Sequence, residues 1–232
     1  MEIIFSPAIA LMSRLKYPAK FAAMGLLAVL AIGFLLTSLI VGQSTAIRLA
    51  GNERAALELM GPMHKQVQLT QQHRGLSAGY LGGNAAMKPK LDAKQAEVAK
   101  AIKEVDAIEA RHAAMLRTTS EWTAVKADWD KLRGGLEAMK VPETLAAHGA
   151  LIERSLRLQV QAADAGSLVG DPDIDSFYII DTLIHRLPAM LERLGKVRAK
   201  GTGTLSKKEI SEADKVEFQV HLAVLKQTLD VL

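Results

Sequence analysis

The hydrophobic and polar positions divide the chain into one uninterrupted apolar stretch and a longer region with helical periodicity. Residues 21–41 contain no charged side chain, and only Thr37 and Ser38 among them are mildly polar. A helix rises about 1.5 Å per residue, so a stretch of this length spans about 30 Å, the thickness of a bilayer's hydrocarbon core. The pattern therefore predicts a transmembrane helix over residues 21–41.

Basic residues on one side of this stretch predict its orientation. Arg14, Lys16 and Lys20 precede it, whereas the residues directly after it are uncharged. Because basic residues are retained on the cytoplasmic side, we expect residues 1–20 in the cytoplasm and residues 42–232 in a bacterial periplasm. The alternative is a cleavable signal peptide, whose apolar region is typically about 7–15 residues and so shorter than this one. We therefore expect a single-pass protein of the inner (cytoplasmic) membrane.

Beyond the apolar stretch, hydrophobic residues recur at helical spacing, and Gly and Pro residues mark the breaks. Pro62 and Pro188 are expected to bend the helices that contain them. The strongest break combines glycine, proline and capping acids at residues 170–173. The expected helices cover residues 44–81, 92–139, 142–169 and 174–199, and a fifth runs from a capping box at Ser206–Glu209 to Leu232.

No segment shows the alternating, β-branched pattern that is typical of strands. The predicted fold class is all-α, with one N-terminal transmembrane helix that continues into an elongated up-and-down helical bundle. The last helix reaches Leu232 without a cap. We therefore expect the domain over residues 42–232 to be incomplete at its C-terminus.

Composition and charge exclude several classes of function. The chain of 232 residues has no cysteine, which excludes disulfide scaffolds, thiolate metal sites and cysteine nucleophiles. A net charge of +4 is too small for a nucleic-acid-binding surface. The six histidines form no zinc-binding motif, and the sequence contains no nucleophile elbow and no glycine-rich phosphate loop. We expect no enzyme activity, no catalytic residue, no metal and no cofactor.

Two stripes on opposite faces of the first helix suggest two packing partners. At 100° per residue, one stripe contains Leu69, His73, Leu76 and Tyr80, and the other contains Met60, His64, Val67, Gln71, Arg74, Ala78 and Leu81. One partner is the helix's own bundle, and the second is expected to be another copy of the chain, in a symmetric dimer.

Arg74 interrupts a stripe that is otherwise largely apolar, with Gln71 one turn before it. Arg74 either pairs with an acid on a neighbouring helix or binds an anion, because its guanidinium fork matches carboxylate, nitrate or phosphate oxygens. His73 is either a packed histidine or a ligand contact. Four nearby glycines indicate the close approach of another helix or, less commonly, a pocket for a small solute; they are Gly75, Gly79, Gly82 and Gly83.

A second polar group lies on the fourth expected helix. Asp181 and His185 are four residues apart, and Tyr178 is adjacent to them. They form either a buried hydrogen-bonded pair or part of a polar pocket. The core face of this helix is expected to contain Phe177, Ile180, Ile184, Pro188 and Leu191. Trp122 and Trp129, seven residues apart, are expected to form a core or interface stripe.

Two segments resemble bacterial transmembrane sensors. The segment QQHRGLSAGYL at residues 71–81 resembles the Gln-x-x-Arg-Gly-Leu-Ser-Ala core of nitrate/nitrite-sensing helical domains in methyl-accepting chemotaxis proteins and histidine kinases. Residues 168–178, followed by Leu187-Pro188, are similar to another part of such sensor regions. The resemblance covers most of residues 20–200.

The resemblance implies a role for the motif arginine. In the nitrate-sensing domains this arginine contacts the anion, and it corresponds here to Arg74. A second arginine is expected from a later helix, for which Arg186 and Arg193 are available. The residue before the motif arginine is usually glutamate in these domains and is His73 here.

The predicted function is ligand sensing by a dimeric transmembrane signal transducer of the chemoreceptor type. The ligand would be a small solute, such as nitrate, nitrite or an organic anion, and binding would move the helices. The other expected partners are the inner membrane, a second copy in a homodimer or receptor array, and downstream signalling domains. The alternative is a membrane-tethered scaffold with no small-molecule site. The predicted ligand-binding residues are Arg74, His73, Gln71, Tyr178, Asp181 and His185.

Overall fold

The structure, a computed structural model, describes residues 13–14, 16–169 and 174–229. None of these residues lies in a β-strand, which confirms the all-α prediction. The chain divides into two compact units, Met1–Ala50 and Gly51–Leu232.

Helix α1, Tyr17–Leu81, contains the predicted transmembrane residues. In the described part of the chain, it is the one helix long and apolar enough to cross a membrane. Its large apolar side chains are exposed there, with Phe21 at 71% and Phe34 at 72%. The Thr37 hydroxyl donates to the Gly33 carbonyl at 2.8 Å, so this polar group needs no water. Exposed apolar side chains and internally bonded hydroxyl groups are expected of a helix that is surrounded by lipid.

Helix α1 is continuous across residue 44, in agreement with the prediction that the N-terminal helix continues into the bundle. The residues around position 44 include no proline, so the backbone can continue its helical hydrogen bonds without a break. The hydroxyl of Ser44 follows the same pattern and donates to the Ile40 carbonyl at 2.7 Å.

The second unit is a bundle of packed helices. Helix α3 packs on α4, α4 on α6, and α6 on α7, while α2 packs on both α3 and α4. The helices that follow α1 are α2 (Lys88–Leu116), α3 (Thr119–Gly135), α4 (Val141–Ala165), α5 (Ile174–Asp181), α6 (Leu187–Lys207) and α7 (Glu212–Leu229). The bundle architecture therefore agrees with the prediction.

The expected single helix over residues 92–139 is wrong. The chain turns between α2 and α3, where Arg117 adopts a left-handed conformation with φ of 54°. Its carbonyl accepts a hydrogen bond from Gln161 of α4 at 2.7 Å. The turn folds α3 back against the bundle, so that Trp122 and Trp129 are buried at 2% and 3% exposure. The predicted core position of these tryptophans is confirmed.

The expected end of the fourth helix at residue 199, where Gly201 and Gly203 predicted a break, and the capping box at Ser206–Glu209 are also wrong. Helix α6 continues through Gly203, where a Cβ atom would lie 3.1 Å from Val141. This glycine permits close helix packing and does not end the helix. The last helix begins after Ser211, which forms a reciprocal capping box with Asp214: each backbone N–H donates to the other's side chain at 3.1 Å.

Helix α4 ends at Ala165, earlier than the expected residue 169, and the predicted break at 170–173 lies outside the described residues. Between α5 and α6, residues Thr182–Arg186 form a π-helical turn directly before Pro188. Proline cannot donate the usual hydrogen bond, and the wider turn accommodates the altered pattern.

The core face expected for residues 174–199 is only partly correct. Ile184 is buried at 5% exposure and Pro188 is also buried, whereas Phe177 and Leu191 are exposed. Helix α5 has no buried residue. The hydrophobic core instead centres on α1 to α4, and its largest members include Leu59, Met63, Leu116, Trp122, Trp129, Leu151 and Leu158.

Candidate functional site

Arg74 forms a buried ion pair with an acid on another helix. Its side chain projects from α1, is 1% exposed, and meets Glu192 of α6, which is 5% exposed. Arg74 Nη1 donates to Glu192 Oε1 at 2.6 Å, and Nη2 donates to Oε2 at 3.1 Å. Two parallel, charge-assisted hydrogen bonds thus hold a planar carboxylate on the guanidinium fork.

Gln71 completes this cluster on the α1 side. Its Nε2 atom donates to Glu192 Oε2 at 2.9 Å, so three donors from one helix bind the same carboxylate. The Nε atom of Arg74 has no hydrogen-bond partner among the described residues, although it is buried. Gly195 allows the close approach of α6, because a Cβ atom there would lie 2.7 Å from Arg74 Nη2.

Two clefts flank the ion pair. Arg74 lines a cleft of about 570 Å³, into which α6 contributes Lys196, Lys200 and Lys207. Gln71 lines a second, more apolar cleft of about 750 Å³, together with leucines of the π turn and α6. The guanidinium group therefore borders a cleft whose lining combines these lysines with four acids, which are Glu153, Glu209, Asp214 and Glu217.

Acidic residues form ion pairs with two of these lysines, Lys196 and Lys200. Lys196 donates to Glu153 of α4 at 2.8 Å, and this hydrogen bond lowers the pKa of the Glu153 carboxyl. Lys200 pairs with Asp214 at 2.9 Å and with Glu217, both of α7. Burial opposes the charge on Lys200, but hydrogen bonds to these two carboxylates outweigh it and raise the Lys200 pKa.

His73 lies in a different environment from Arg74, although the two are adjacent in sequence. Its Nδ1 atom is 2.8 Å from Nε2 of His148 on α4, and both rings are fully buried. The indole of Trp129 packs edge-on against the His73 ring at 5.0 Å between centroids. Burial lowers the pKa of His73 to about 4 and that of His148 to about 3, so both rings are neutral at pH 7.

The other three predicted site residues lie together on α5 and the π turn. His185 Nδ1 is 3.3 Å from Asp181 Oδ1, and Arg186 Nε donates to Asp181 Oδ2 at 2.6 Å. The Arg186 hydrogen bond lowers the pKa of the Asp181 carboxyl. Tyr178 is 61% exposed. No described hydrogen bond or ion pair joins this group to Arg74, so the predicted residues fall into three separate clusters.

Both stripes of α1 pack within the same chain. His73 contacts α3 and α4, and Arg74 contacts α6. The two stripes of α1 therefore need no second copy of the chain as a packing partner, and the homodimer stays a prediction. Of the clustered glycines, Gly79 approaches Thr202 and Gly82 approaches Gly203, which confirms close helix packing at these two positions.

Sequence reasoning missed Glu192, Lys196 and His148. A signal for Glu192 was present, because the buried residues of α6 follow a helical stripe: Pro188, Glu192, Gly195, Ala199 and Gly203. An acid within a stripe of small residues indicates a buried carboxylate that needs a cationic partner. Arg74, within its own semi-apolar stripe, was the matching candidate.

The fold and the site define a class of protein: an all-helical module with a motif arginine buried between helices, preceded by a segment able to span a membrane. The family model described as nitrate and nitrite sensing matches residues 66–230, which include every helix from the end of α1 onward. The chain belongs to the nitrate and nitrite sensing family, whose members are sensing domains of signal transducers. No curated protein and no solved structure gives a significant match.

Proposed function

We propose that residues 42–232 are the periplasmic ligand-sensing domain of a dimeric, chemoreceptor-type signal transducer, anchored in the inner membrane by residues 21–41. The ligand is a small oxyanion, such as nitrate or nitrite, that binds between α1 and α6 at Arg74. Binding shifts the packed helices and so alters the output of downstream signalling domains. Signalling requires that two helix arrangements bind the anion with different affinity.

The buried guanidinium of Arg74 is the observation that carries this proposal. It belongs to the motif segment, is 1% exposed, and lines a cleft that lysines also line. An arginine fork in a water-poor environment binds planar oxyanions through paired hydrogen bonds. Gln71 adds a neutral donor on the same helix face.

Calorimetric titration of the full chain in detergent micelles tests the proposal. Nitrate, nitrite and acetate are the ligands, and sodium chloride at the same ionic strength is the control for screening. We expect saturable binding of nitrate or nitrite. Arg74→Lys retains the positive charge but removes the bidentate fork, and we expect it to weaken binding at least about tenfold. Undiminished binding by this variant, or no oxyanion binding by the wild type, contradicts the proposal.

A second candidate function is a membrane-tethered scaffold without a small-molecule site. One observation favours it: large apolar side chains of α5, including Ile174, Tyr178 and Ile179, are at least 60% exposed. Exposed apolar surface of this kind suits a protein partner. Ligand-free dimerisation, measured by analytical ultracentrifugation in micelles, combined with the absence of oxyanion binding, favours this second function.

A further inference from the structure

We propose that Glu192 is a built-in competitor for the anion site. Its carboxylate binds the donors of Arg74 and Gln71 that an oxyanion would use, and the ligand binds by displacing it. The inference rests on the proposed function, because it specifies how that same site is regulated.

The chemistry of the two anions is closely matched. A carboxylate presents two oxygens in a plane, and nitrate presents three, so both fit the fork of a guanidinium group. Glu192 accepts from Arg74 at 2.6 and 3.1 Å and from Gln71 at 2.9 Å. One donor of the fork, Arg74 Nε, is left without a partner among the described residues. The guanidinium group thus has one hydrogen-bond donor that Glu192 does not use, besides the two that a planar oxyanion could take from it.

Burial makes the two states exclusive. Arg74 and Glu192 are 1% and 5% exposed, so little water screens the repulsion between Glu192 and a second anion beside it. Gly195 brings the α6 backbone against the guanidinium group, where a Cβ atom would lie 2.7 Å from Nη2. An oxyanion can take the paired donors Nη1 and Nη2 only when the carboxylate moves away from them.

Lys196 is the ion-pair partner that the displaced carboxylate of Glu192 would take. Its Nζ atom is 4.0 Å from Glu192 Oε1 and one turn further along α6. At present Lys196 binds Glu153 of α4 at 2.8 Å. Displacement would break the direct link between α1 and α6 and strengthen a link within α6 that also reaches α4. These two ion-pair arrangements are the two states that anion binding would select between.

Because an anion must displace Glu192, its apparent affinity for the site is lower than its intrinsic affinity for free Arg74. The apparent Kd equals the intrinsic Kd divided by the fraction of molecules in which Arg74 is free of Glu192. Removing the charge at position 192 raises that fraction, and removing Lys196 lowers it. The two substitutions therefore have opposite effects. Apart from the loss of one positive charge, which a lysine control measures, the second acts through Glu192 alone.

Titration of the full chain in micelles with sodium nitrate, against sodium chloride, measures these effects. For Glu192→Gln, which preserves the size of the side chain, we expect a nitrate Kd at least about tenfold lower than for the wild type. For Lys196→Met in the wild-type background we expect weaker binding by a few-fold. The same substitution combined with Glu192→Gln should change the Kd no more than a matched control does.

Lys200→Met is the matched control. Lys200 lines the same cleft and lies one turn beyond Lys196, but it pairs with Asp214 and Glu217 of α7. Its loss removes one positive charge in either background, so we expect an equal effect with and without Glu192. Helix content measured by circular dichroism shows whether each variant is folded; if Glu192→Gln is not, the comparison of Lys196→Met with Lys200→Met remains decisive.

The outcomes separate this inference from the proposed function. If the wild type binds nitrate and Glu192→Gln binds it equally or less tightly, Glu192 is not a competitor, while the proposed function stands. If Lys196→Met and Lys200→Met change the nitrate Kd equally, the displaced carboxylate of Glu192 does not pair with Lys196. If neither the wild type nor Glu192→Gln binds nitrate, the oxyanion function itself is wrong.

Discussion

A buried arginine keeps its charge at physiological pH, so its environment must supply a compensating anion. In this protein Glu192 does so, and the alternative in which Arg74 pairs with an acid on a neighbouring helix describes the structure. The pair is compatible with the proposed function, in which an oxyanion would take the place of the acid. The structure shows the structural role of Arg74, and titration tests the proposed sensing role.

The buried histidine pair makes the stability of the domain depend on pH. Burial is the main cause of the low pKa of His73, about 4, and of His148, about 3, compared with 6.5 for a free side chain. Between pH 6.5 and pH 4 the unfolded chain binds more protons than the folded chain, so stability falls as the pH falls. Each histidine contributes up to about 1.4 kcal/mol per pH unit in this range.

We therefore predict that the midpoint temperature of thermal unfolding falls between pH 7 and pH 5.5. Circular dichroism of the full chain in micelles measures this temperature. His148→Gln should make this dependence shallower, because one buried titrating group is lost. Unfolding that is independent of pH in this range would show that the pair is not a neutral, buried unit.

The candidate site could be predicted from the sequence only in part. The stripe position and the motif identified Arg74 and Gln71, which the structure joins through Glu192. His73 is adjacent in sequence but projects about 100° away around the helix, towards α4. Long-range pairing of this kind depends on which helices pack together, and helical periodicity within one segment contains no such information.

At the scale of the element, glycines decide where helices approach one another. Gly75 and Gly79 lie four residues apart in α1, but their surroundings differ. Nothing lies within 4 Å of a Cβ atom built on Gly75, whereas one on Gly79 would meet Thr202 at 3.0 Å and overlap Met87. The same residue type thus has a packing role at one position and none at the other.

Alanine substitutions at these two glycines should therefore have different effects on stability. Gly75→Ala gains helix propensity without a clash, and we expect it to stabilise the chain by up to about 1 kcal/mol. Gly79→Ala gains the same propensity but must displace Met87 or Thr202, at a cost of about 1–3 kcal/mol. Thermal unfolding of both variants measures the difference. Equal stabilisation by both would mean that α1 and α6 are not closely packed at Gly79.

The errors in predicting the helices share a physical cause. Gly201 and Gly203 predicted a break, yet α6 continues through them because the small residues pack against other helices. The α2–α3 turn contains no glycine or proline, and Arg117 adopts a left-handed conformation there. Local propensity predicted the helical class and most of the helices, but tertiary packing decided these two boundaries.

At the scale of the whole molecule, one helix contains both the predicted membrane segment and the motif arginine. Residues 21–41 and Arg74 belong to α1, which has no break between Tyr17 and Leu81. A sensor needs its ligand site on the side of the membrane where the ligand is found. The orientation of this segment in the membrane therefore determines whether Arg74 lies in the periplasm or in the cytoplasm.

The basic residues before the membrane segment lead to a prediction about this orientation. Alkaline phosphatase, which is active only in the periplasm, is fused after residue 229 and expressed in a bacterium. We expect high phosphatase activity, because Arg14, Lys16 and Lys20 hold the N-terminus in the cytoplasm. Neutralising these three residues and substituting lysines at Gln43, Ser44 and Thr45 should lower the activity of the fusion.

Two controls make the orientation experiment specific. A green fluorescent protein fused at the same position should be dark in the wild type, because it does not fold when exported unfolded, and should gain fluorescence in the charge-reversed variant. The mass of the fusion extracted from membranes distinguishes an uncleaved anchor from a signal peptide, since cleavage would remove the N-terminal residues. If the phosphatase fusion is inactive and the fluorescent fusion is bright, Arg74 lies in the cytoplasm and the periplasmic assignment is wrong. If phosphatase activity comes from a shortened, soluble chain, the periplasmic assignment stands and only the anchor is wrong.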